Sequence, residues 1–327
     1  MLPVAVFFIL IPIAIVTGIV AAVLGIGGGV LMVPILYYGI FSFVGDIVSD
    51  PIILTMSFAT TISSTVIIFT GISGTIAFSL QKRVDFLVGG LSALFSVAGA
   101  ILGKWVQYQI DNTALTIIFA SLLIVTAGRM IFKVITNYQK KRKADKKLEV
   151  EECESSEKVE EDINKKELMK DDLAPVKKTI FARMTLTRDF EDNCKEKKQY
   201  SVKVYLTPLA FLGGFVAGIA GLGGGVVMVP ILNIVMGLPI HFATATSAFI
   251  MIFSSISALV TAVISKPEVI PDIWWPFVAG LAVGIIIGAQ IGALIAKRLK
   301  AEPLKAIFAV ALTAVGIWSI VRALLGL

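Results

Sequence analysis

Two glycine-rich motifs of matching sequence each interrupt an apolar part of the chain. Residues 25–29 read GIGGG and residues 221–225 read GLGGG. Lipid offers the main chain no hydrogen-bond partner, so such segments must be buried in protein or line an aqueous cavity. Helices beginning at Val30 and Val226 would point partly positive amides into that cavity, and glycine lets a ligand reach the main chain. The pattern predicts an anion site formed without a charged side chain. Its candidate residues are Gly27, Gly28, Gly29, Gly223, Gly224 and Gly225, with Pro34 and Pro230 as structural turns.

Hydroxyl side chains form a second pattern in the apolar run that follows each motif. Thr60, Ser63 and Thr70 share the spacing i, i+3 and i+10 with Thr244, Ser247 and Ser254, which keeps each set within about 80° on one helix face. They could line the same cavity, or they could donate to carbonyl oxygens of their own helix, as Ser and Thr do in membrane helices. The candidate binding residues in these runs are Thr60, Ser63, Thr244, Thr246 and Ser247.

Other kinds of chemistry find little support in the sequence. The interiors of the apolar runs hold no Asp or Glu, although a cation pump would be expected to have them. The one histidine, His241, begins an apolar run, where an interfacial polar role is favoured over proton handling. Cys153 and Cys194 both fall in a charged segment and are interpreted as free thiols. We therefore expect no enzyme activity, no catalytic residue, no metal site and no cofactor.

The composition places these motifs in a membrane protein. The 327 residues are 57% hydrophobic and 16% charged, with a mean hydropathy of +0.89, whereas ordinary soluble domains are roughly 45–50% apolar and about 25% charged. Residues 137–203 hold 18 of the 29 basic and 16 of the 23 acidic side chains. Because that segment is nearly neutral overall, a nucleic-acid partner is not predicted. The predicted domains are a transmembrane repeat at 1–136, a charged insert at 137–203 and a second transmembrane repeat at 204–327.

The two apolar regions are copies of one unit. Residues 20–36 match residues 216–232 at 12 of 17 positions, with an offset of 196. Each copy contains about five hydrophobic segments, and an odd number of crossings would insert the second copy upside down. We predict an all-α membrane protein of two inverted-topology repeats, with broken or re-entrant helices at the glycine motifs. The predicted segments are 4–24, 27–43, 51–79, 86–103, 113–135, 204–221, 224–238, 242–265, 274–296 and 303–325.

The basic residues orient these repeats. Cytoplasmic loops of membrane proteins are enriched in Lys and Arg, and the basic loops at 81–83 and 297–300 lie on the same side as the insert in this topology. The outward loops then carry Lys104 and Lys266 as their only basic residues. The prediction is a multi-pass cell-membrane protein with a cytoplasmic insert and both termini outside. The insert is expected to be partly helical at first and then to form a small packed or membrane-surface element, serving as a solvated linker or, alternatively, in regulation.

Three features of the chain resemble the sulfite exporter TauE/SafE family of inner-membrane permeases. They are the repeated GxGGGxxMVPIL motif, the ATATS sequence at 243–247 and the basic turn QKRVD at 81–85. The resemblance implies movement of small anions, often sulfur-containing ones such as sulfite, sulfonates or sulfoacetate. The chain departs from the family in its longer insert and in the ATTIS sequence at 59–63.

Taken together, the residues predict a secondary transporter for a small anion, with the lipid bilayer as its surroundings. The sulfur-containing substrate is implied by the resemblance alone. A transporter of another small solute or a metal ion, and a non-transporting membrane scaffold, are the alternatives. A coupling proton or sodium ion, the transport direction and the oligomeric state are left open at this point.

Overall fold

In a computed structural model of the chain, both apolar regions are helical. The structure describes residues 4–24, 29–40, 55–129, 185–191, 197–267, 274–295 and 313–321, together with 131, 132, 136 and 310. The predicted segments at 4–24, 51–79, 86–103, 113–135, 242–265 and 274–296 each contain a described helix.

The first apolar region contains five helices within its described residues. These are α1 (Val4–Leu24), α2 (Gly29–Pro34), α3 (Met56–Leu80), α4 (Phe86–Gln107) and α5 (Asn112–Arg129). A π-helix at Ile35–Ile40 continues α2. Proline has no N–H to donate to the carbonyl four residues before it, so the helical ladder is interrupted at Pro34 and widens directly after it.

The second apolar region repeats this order. A 3-10 helix (Val204–Leu209) leads into α6 (Ala210–Ala220), followed by α7 (Gly225–Pro230), α8 (Ile240–Ser265), α9 (Trp274–Ile295) and a helical stretch at 313–321, α10. A π-helix at Ile231–Val235 continues α7, as the corresponding one continues α2. Pro34 and Pro230 therefore occupy the same local position in the two regions.

Four helices in the described part of the chain are long and apolar enough to cross a membrane, by length and composition: α3, α4, α5 and α8. Over the positions with described side chains, α1 and α9 contribute the shorter apolar stretches Leu10–Ala21 and Phe277–Gly292. The side chains of α4 show how such a helix is arranged. Small residues such as Ser92, Ser96 and Gly99 face the protein, whereas Leu94 and Leu102 are exposed. An apolar exposed face suits a lipid environment.

The ends of α3 and α4 are fixed by side-chain caps. Thr55 accepts a hydrogen bond from the N–H of Phe58 at the start of α3. The carboxylate of Asp85 accepts from the N–H groups of Leu87 and Val88 at the start of α4. Each cap satisfies amides that have no partner inside the first turn of a helix.

Helices from the two apolar regions pack against each other throughout the described structure. The main pairs are α1 with α9, α4 with α6, and α3 with α8. Small residues allow the closest approaches: a methyl group at Gly99 would overlap the carbonyl oxygen of Phe211. A methyl group at Gly288 would likewise overlap the carbonyl oxygen of Ile15. The two regions therefore form one interlocked body, with a buried cluster that includes Phe119 of α5 and Phe277 of α9.

The prediction of an all-α protein is wrong for the end of the insert. Strand β1 (Thr185–Glu191) pairs antiparallel with β2 (Lys197–Lys203), so the chain is mostly rather than entirely helical. The reason lies in the alternating pattern TLTRDFE and its β-branched threonines, which favour an extended chain. The N–H of Lys203 donates to the carbonyl of Met236 at 3.0 Å, which attaches the hairpin to the region after α7. The stretch predicted to be partly helical, before residue 185, lies outside the described residues.

Candidate functional site

The second glycine motif forms a tight buried turn between α6 and α7. Gly221 ends α6 with φ +64°, and Gly223 and Gly224 have φ +68° and +74°. These left-handed conformations cost other L-residues about 1–2 kcal/mol each, whereas glycine adopts them readily. Gly225 begins α7 and is buried like the other three glycines. The GxGGG spacing therefore encodes the break between the two helices.

The first glycine motif meets this turn at Gly29. A methyl group on Gly29 would lie 2.8 Å from Cα of Leu222 and 2.9 Å from the carbonyl oxygen of Gly221. Ile67 of α3 is buried between the two motifs, because its side chain would meet a methyl group added to either Gly29 or Gly223. The start of α2 thus lies against the turn between α6 and α7. Gly27 and Gly28 lie outside the described residues.

Helix α3 crosses the second glycine turn with two of its predicted hydroxyl residues. Ser63 Oγ donates to the carbonyl oxygen of Gly221 at 2.9 Å, and both groups are buried. Thr60 lies next to the same glycine, with Cα and Cβ 2.7 Å from the position of a methyl group on Gly221. The structure therefore brings Thr60, Ser63, Gly29 and the second glycine motif together.

The hydroxyl residues of α8 are placed differently. Ser247 Oγ donates to the carbonyl of Thr244 at 2.8 Å, within its own helix. Thr246 is fully buried and accepts a hydrogen bond from the N–H of Asp85 at 3.1 Å, which positions the start of α4. Thr244 is half-buried, and His241 is exposed at the start of the helix. Thr246 is thus held at the start of α4, while Thr60 and Ser63 contact the second glycine turn.

A buried lysine that the sequence analysis did not select lies beside Thr60. The sequence predicts Lys104 in an outward loop. In the structure, however, α4 continues to Gln107, and Lys104 is completely buried. Its Nζ donates to Thr61 Oγ1 at 3.1 Å and to Thr60 Oγ1 at 3.4 Å. Gln107 Nε2 donates to the same Thr60 oxygen at 2.6 Å. These four side chains form a buried polar group, called here the Lys104 cluster.

The threonines of the cluster are oriented as acceptors. Thr60 and Thr61 each donate their hydroxyl proton to the carbonyl of Ser57, at 2.9 Å and 2.7 Å. A hydroxyl has one proton to donate, so both oxygens are left to accept from Lys104 and Gln107. For the same reason, neither threonine can donate to a bound anion in this arrangement.

A signal for Lys104 was present in the sequence. The buried face of α4 runs through Ser96, Ala100, Lys104 and Gln107 at intervals of three and four residues. That spacing is the period of one helix face. The predicted segment 86–103 stops before Lys104 and therefore omits the last turn of this face.

Tyr108 connects the cluster to the surface. Lys104 Nζ lies 5.3 Å from the centre of the Tyr108 ring, and Nζ of the exposed Lys266 lies 5.7 Å from it. The two lysines that the sequence places on the same side of the membrane therefore contact one ring, with energies of about 0.5–2 kcal/mol for such contacts. Within the described ranges, no group of three or more His, Cys, Asp or Glu side chains could hold a metal ion.

Comparison with known protein families shows the family to which the chain belongs. The family model of the sulfite exporter TauE/SafE matches residues 10–319. The chain belongs to the sulfite exporter TauE/SafE family. The match includes both glycine motifs, so the resemblance drawn from GxGGGxxMVPIL is confirmed.

A curated relative that matches almost the full length of the chain supports the same conclusion. The chain is 26% identical over 311 residues to the probable membrane transporter protein YunE of Bacillus subtilis (strain 168), covering 95% of this chain and 96% of the relative. No solved structure matches the chain. As a TauE/SafE family member, the chain is a multi-pass membrane transporter and acts as a permease for a small molecule.

Proposed function

We propose that this chain is a secondary transporter for small anions, and that its substrates are sulfur-containing oxyanions such as sulfite, sulfonates or sulfoacetate. The observation that carries the proposal is the junction of the two glycine motifs beneath α3. Gly29, the turn at 221–225, Thr60 and Ser63 meet there in the interior of the protein. Broken helices that meet inside a membrane protein are where secondary transporters bind their substrates. The protein needs no cofactor for this activity and performs no chemical step.

Paired contacts between the halves support the proposed inverted repeat. In the duplicated sequence, residues 15 and 18 correspond to 211 and 214, and residues 96 and 99 correspond to 285 and 288. Gly99 packs on the Phe211 carbonyl as Gly288 packs on that of Ile15. Gly214 packs on the Ser96 carbonyl as Gly18 packs on that of Ile285. Each contact therefore recurs between the exchanged copies, as two units related by a pseudo-two-fold axis would arrange it.

The proposed substrate site retains the residues that the sequence selects. It consists of the glycine main chain at 27–29 and 223–225 with the hydroxyl residues of α3 and α8, namely Thr60, Ser63, Thr244, Thr246 and Ser247. Thr60 and Ser63 lie against the second glycine turn, and we assign them the role of positioning it, since each donates its hydroxyl proton to a carbonyl oxygen. We assign Thr246 a positioning role, since its hydroxyl accepts from the main chain at the start of α4.

We further propose a cytoplasmic insert at 137–203, with both termini outside the cell membrane. One buried cluster supports a common side for the insert and the basic loop at 81–83. It joins Val202 at the end of the insert, Val88 just after that loop and Phe242 at the start of α8. The repeats at 1–136 and 204–327 then enter the membrane from opposite sides.

Cysteine labelling tests this topology. Cys153 and Cys194 are the only cysteines of the chain, and both belong to the insert. A membrane-impermeant thiol reagent is expected to label them in permeabilised cells and to leave them unlabelled in intact cells. Labelling of either cysteine in intact cells would show that the insert faces outward.

Uptake by proteoliposomes tests the proposed substrate class. Purified protein in liposomes is expected to take up labelled sulfite, a sulfonate or sulfoacetate faster than chloride, and faster than protein-free liposomes do. The assay also includes sulfate, taurine and a divalent metal cation. Metal uptake without oxyanion uptake would favour the alternative metal transporter, and no uptake of any solute would favour the scaffold. Either result would contradict the proposal.

A further inference from the structure

The Lys104 cluster buries an ionisable amine where the fold itself does not require one. Lys104 is fully buried in α4, and no carboxylate in the described part of the chain forms an ion pair with it. A charged group inside a membrane-spanning bundle is costly and usually belongs to a functional site. An ammonium that has no counter-charge among the described residues can receive an anion.

The duplicated sequence indicates that the fold can form without this cluster. By the correspondence of the two repeats, Lys104 and Gln107 match Ala293 and Ala296, and Thr61 matches Ala245. Only Thr60 has a like residue in the second copy, Thr244. The second repeat forms the corresponding helices without a lysine at this position. The cluster is thus a specialised feature of the first repeat.

The cluster also has unused hydrogen-bonding capacity. An ammonium has three donors, and Lys104 Nζ donates to two threonine oxygens. Gln107 is fully buried, and its Oε1 accepts no hydrogen bond from the residues that the structure describes. One ammonium donor and one amide acceptor therefore remain among the described groups. An oxyanion accepts from the donor, and a protonated one such as hydrogen sulfite also donates to Gln107 Oε1. This is a second observation, independent of charge, that points to a ligand.

The cluster adjoins the second glycine turn through shared contacts. Thr60, which accepts from both Lys104 and Gln107, lies against Gly221. A methyl group on Gly218, in the last turn of α6, would lie 2.7 Å from the main-chain nitrogen of Lys104. A small anion held by Lys104 would therefore lie at the edge of the proposed transport site.

We propose that the Lys104 cluster binds the transported anion and selects oxyanions of a single negative charge, such as hydrogen sulfite or an alkanesulfonate. The inference rests on the proposed function and deepens it. One buried ammonium neutralises one negative charge, whereas the second charge of a dianion would be desolvated without a partner. Lys104 supplies the attraction, and Gln107 and the threonines position its ammonium.

Methanesulfonate and sulfate are matched probes for this selection. Both present tetrahedral sulfur with oxygens, but methanesulfonate has one negative charge and sulfate has two. Calorimetry on the purified full-length protein is expected to show methanesulfonate binding at least about tenfold more tightly than sulfate. Equal affinities, or tighter sulfate binding, would overturn the selection by charge.

Substitutions in the cluster test the role of Lys104. Lys104→Met is expected to weaken methanesulfonate binding about 10- to 100-fold, since it removes a charged hydrogen bond to the ligand. Gln107→Glu keeps the size of the side chain, removes the donor to Thr60 and supplies an internal carboxylate for Lys104, so it should weaken binding to a similar extent. Lys266→Met is the control, because it removes a lysine from an exposed position that contacts the same Tyr108 ring. Its affinity is expected to stay within about threefold of the unsubstituted protein.

The outcomes separate this inference from the proposed function. If the unsubstituted protein binds methanesulfonate and both cluster variants bind it equally well, the role of Lys104 is overturned while anion transport stands. If the unsubstituted protein binds and transports no oxyanion, both proposals fail. Should Lys104→Met not fold, Gln107→Glu decides the question alone, because it leaves Lys104 in place and gives it a neighbouring carboxylate that competes with the anion.

Discussion

Gly99→Ala is expected to destabilise the protein by about 3 kcal/mol or more. The added methyl group would overlap the carbonyl oxygen of Phe211, and it would lie 2.8 Å from the main-chain nitrogen of Phe215. Overpacking typically costs about 1–3 kcal/mol, and a clash with rigid main chain falls at the upper end because no side chain can rotate away. Helices α4 and α6 would have to separate. The loss is measured as a lower unfolding temperature of the detergent-purified protein.

Gly90→Ala provides a matched control in the same helix. Apart from the backbone of its own helix and its chain neighbours, no described atom lies within 4 Å of a methyl group at Gly90. Alanine is favoured over glycine inside helices by roughly 0.5–1 kcal/mol, so this variant should unfold at the same or a higher temperature. Equal unfolding temperatures for the two variants would contradict the close packing of α4 on α6. Gly288→Ala, which meets the carbonyl of Ile15, should behave like Gly99→Ala.

Ser63→Ala is expected to destabilise the junction of α3 with the second glycine turn by about 1–3 kcal/mol. It leaves the buried carbonyl of Gly221 without the hydroxyl that donates to it, and an unsatisfied buried acceptor costs that much. Because the turn would also lose its fixed position, anion affinity should fall in parallel. Chemical denaturation reports the first effect, and calorimetry with methanesulfonate reports the second.

Ser257→Ala is the control for the loss of a serine hydroxyl. Ser257 donates to the carbonyl of Ser254 within α8, at 2.9 Å. Removing such a local bond should change stability by less than about 0.5 kcal/mol, since the carbonyl still accepts from its own helix. If Ser63→Ala and Ser257→Ala lose equal stability and equal affinity, the contact across the repeats has no special role.

The lengths of the apolar runs predicted the bounds of the long helices well. The segments expected at 4–24 and 274–296 correspond to α1 (Val4–Leu24) and α9 (Trp274–Ile295) almost residue for residue. Lipid-exposed faces and packed faces are both apolar, so a membrane helix appears in the sequence as a continuous run. The glycine motifs were equally informative, because positive φ angles at Gly223 and Gly224 demand that residue type.

What the sequence did not yield depends on long-range contacts. Buried Lys104 is hydrogen-bonded to threonines that lie 43 and 44 positions earlier in the chain. The length of an apolar run cannot reveal such contacts, because a lysine simply ends the run. The roles of Ser63 and Ser247 also differ although their spacing is the same. Ser63 reaches Gly221 across the repeats, whereas Ser247 donates within its own helix. The hairpin at the end of the insert was not predicted, because the prediction relied on the hydropathy of the insert and not on the alternation of side-chain types in residues 185–191.

Counterflow in proteoliposomes tests the central claim most directly, namely that the chain is a carrier with an anion site at the junction of its two broken helices. Liposomes containing the protein are loaded with unlabelled sulfite and diluted into a trace of labelled sulfite. A carrier exchanges one anion for the other, so the label should accumulate transiently above its equilibrium level, and only in sulfite-loaded vesicles. Uptake that is the same for sulfite-loaded and empty vesicles, or no uptake above protein-free liposomes, would contradict the account.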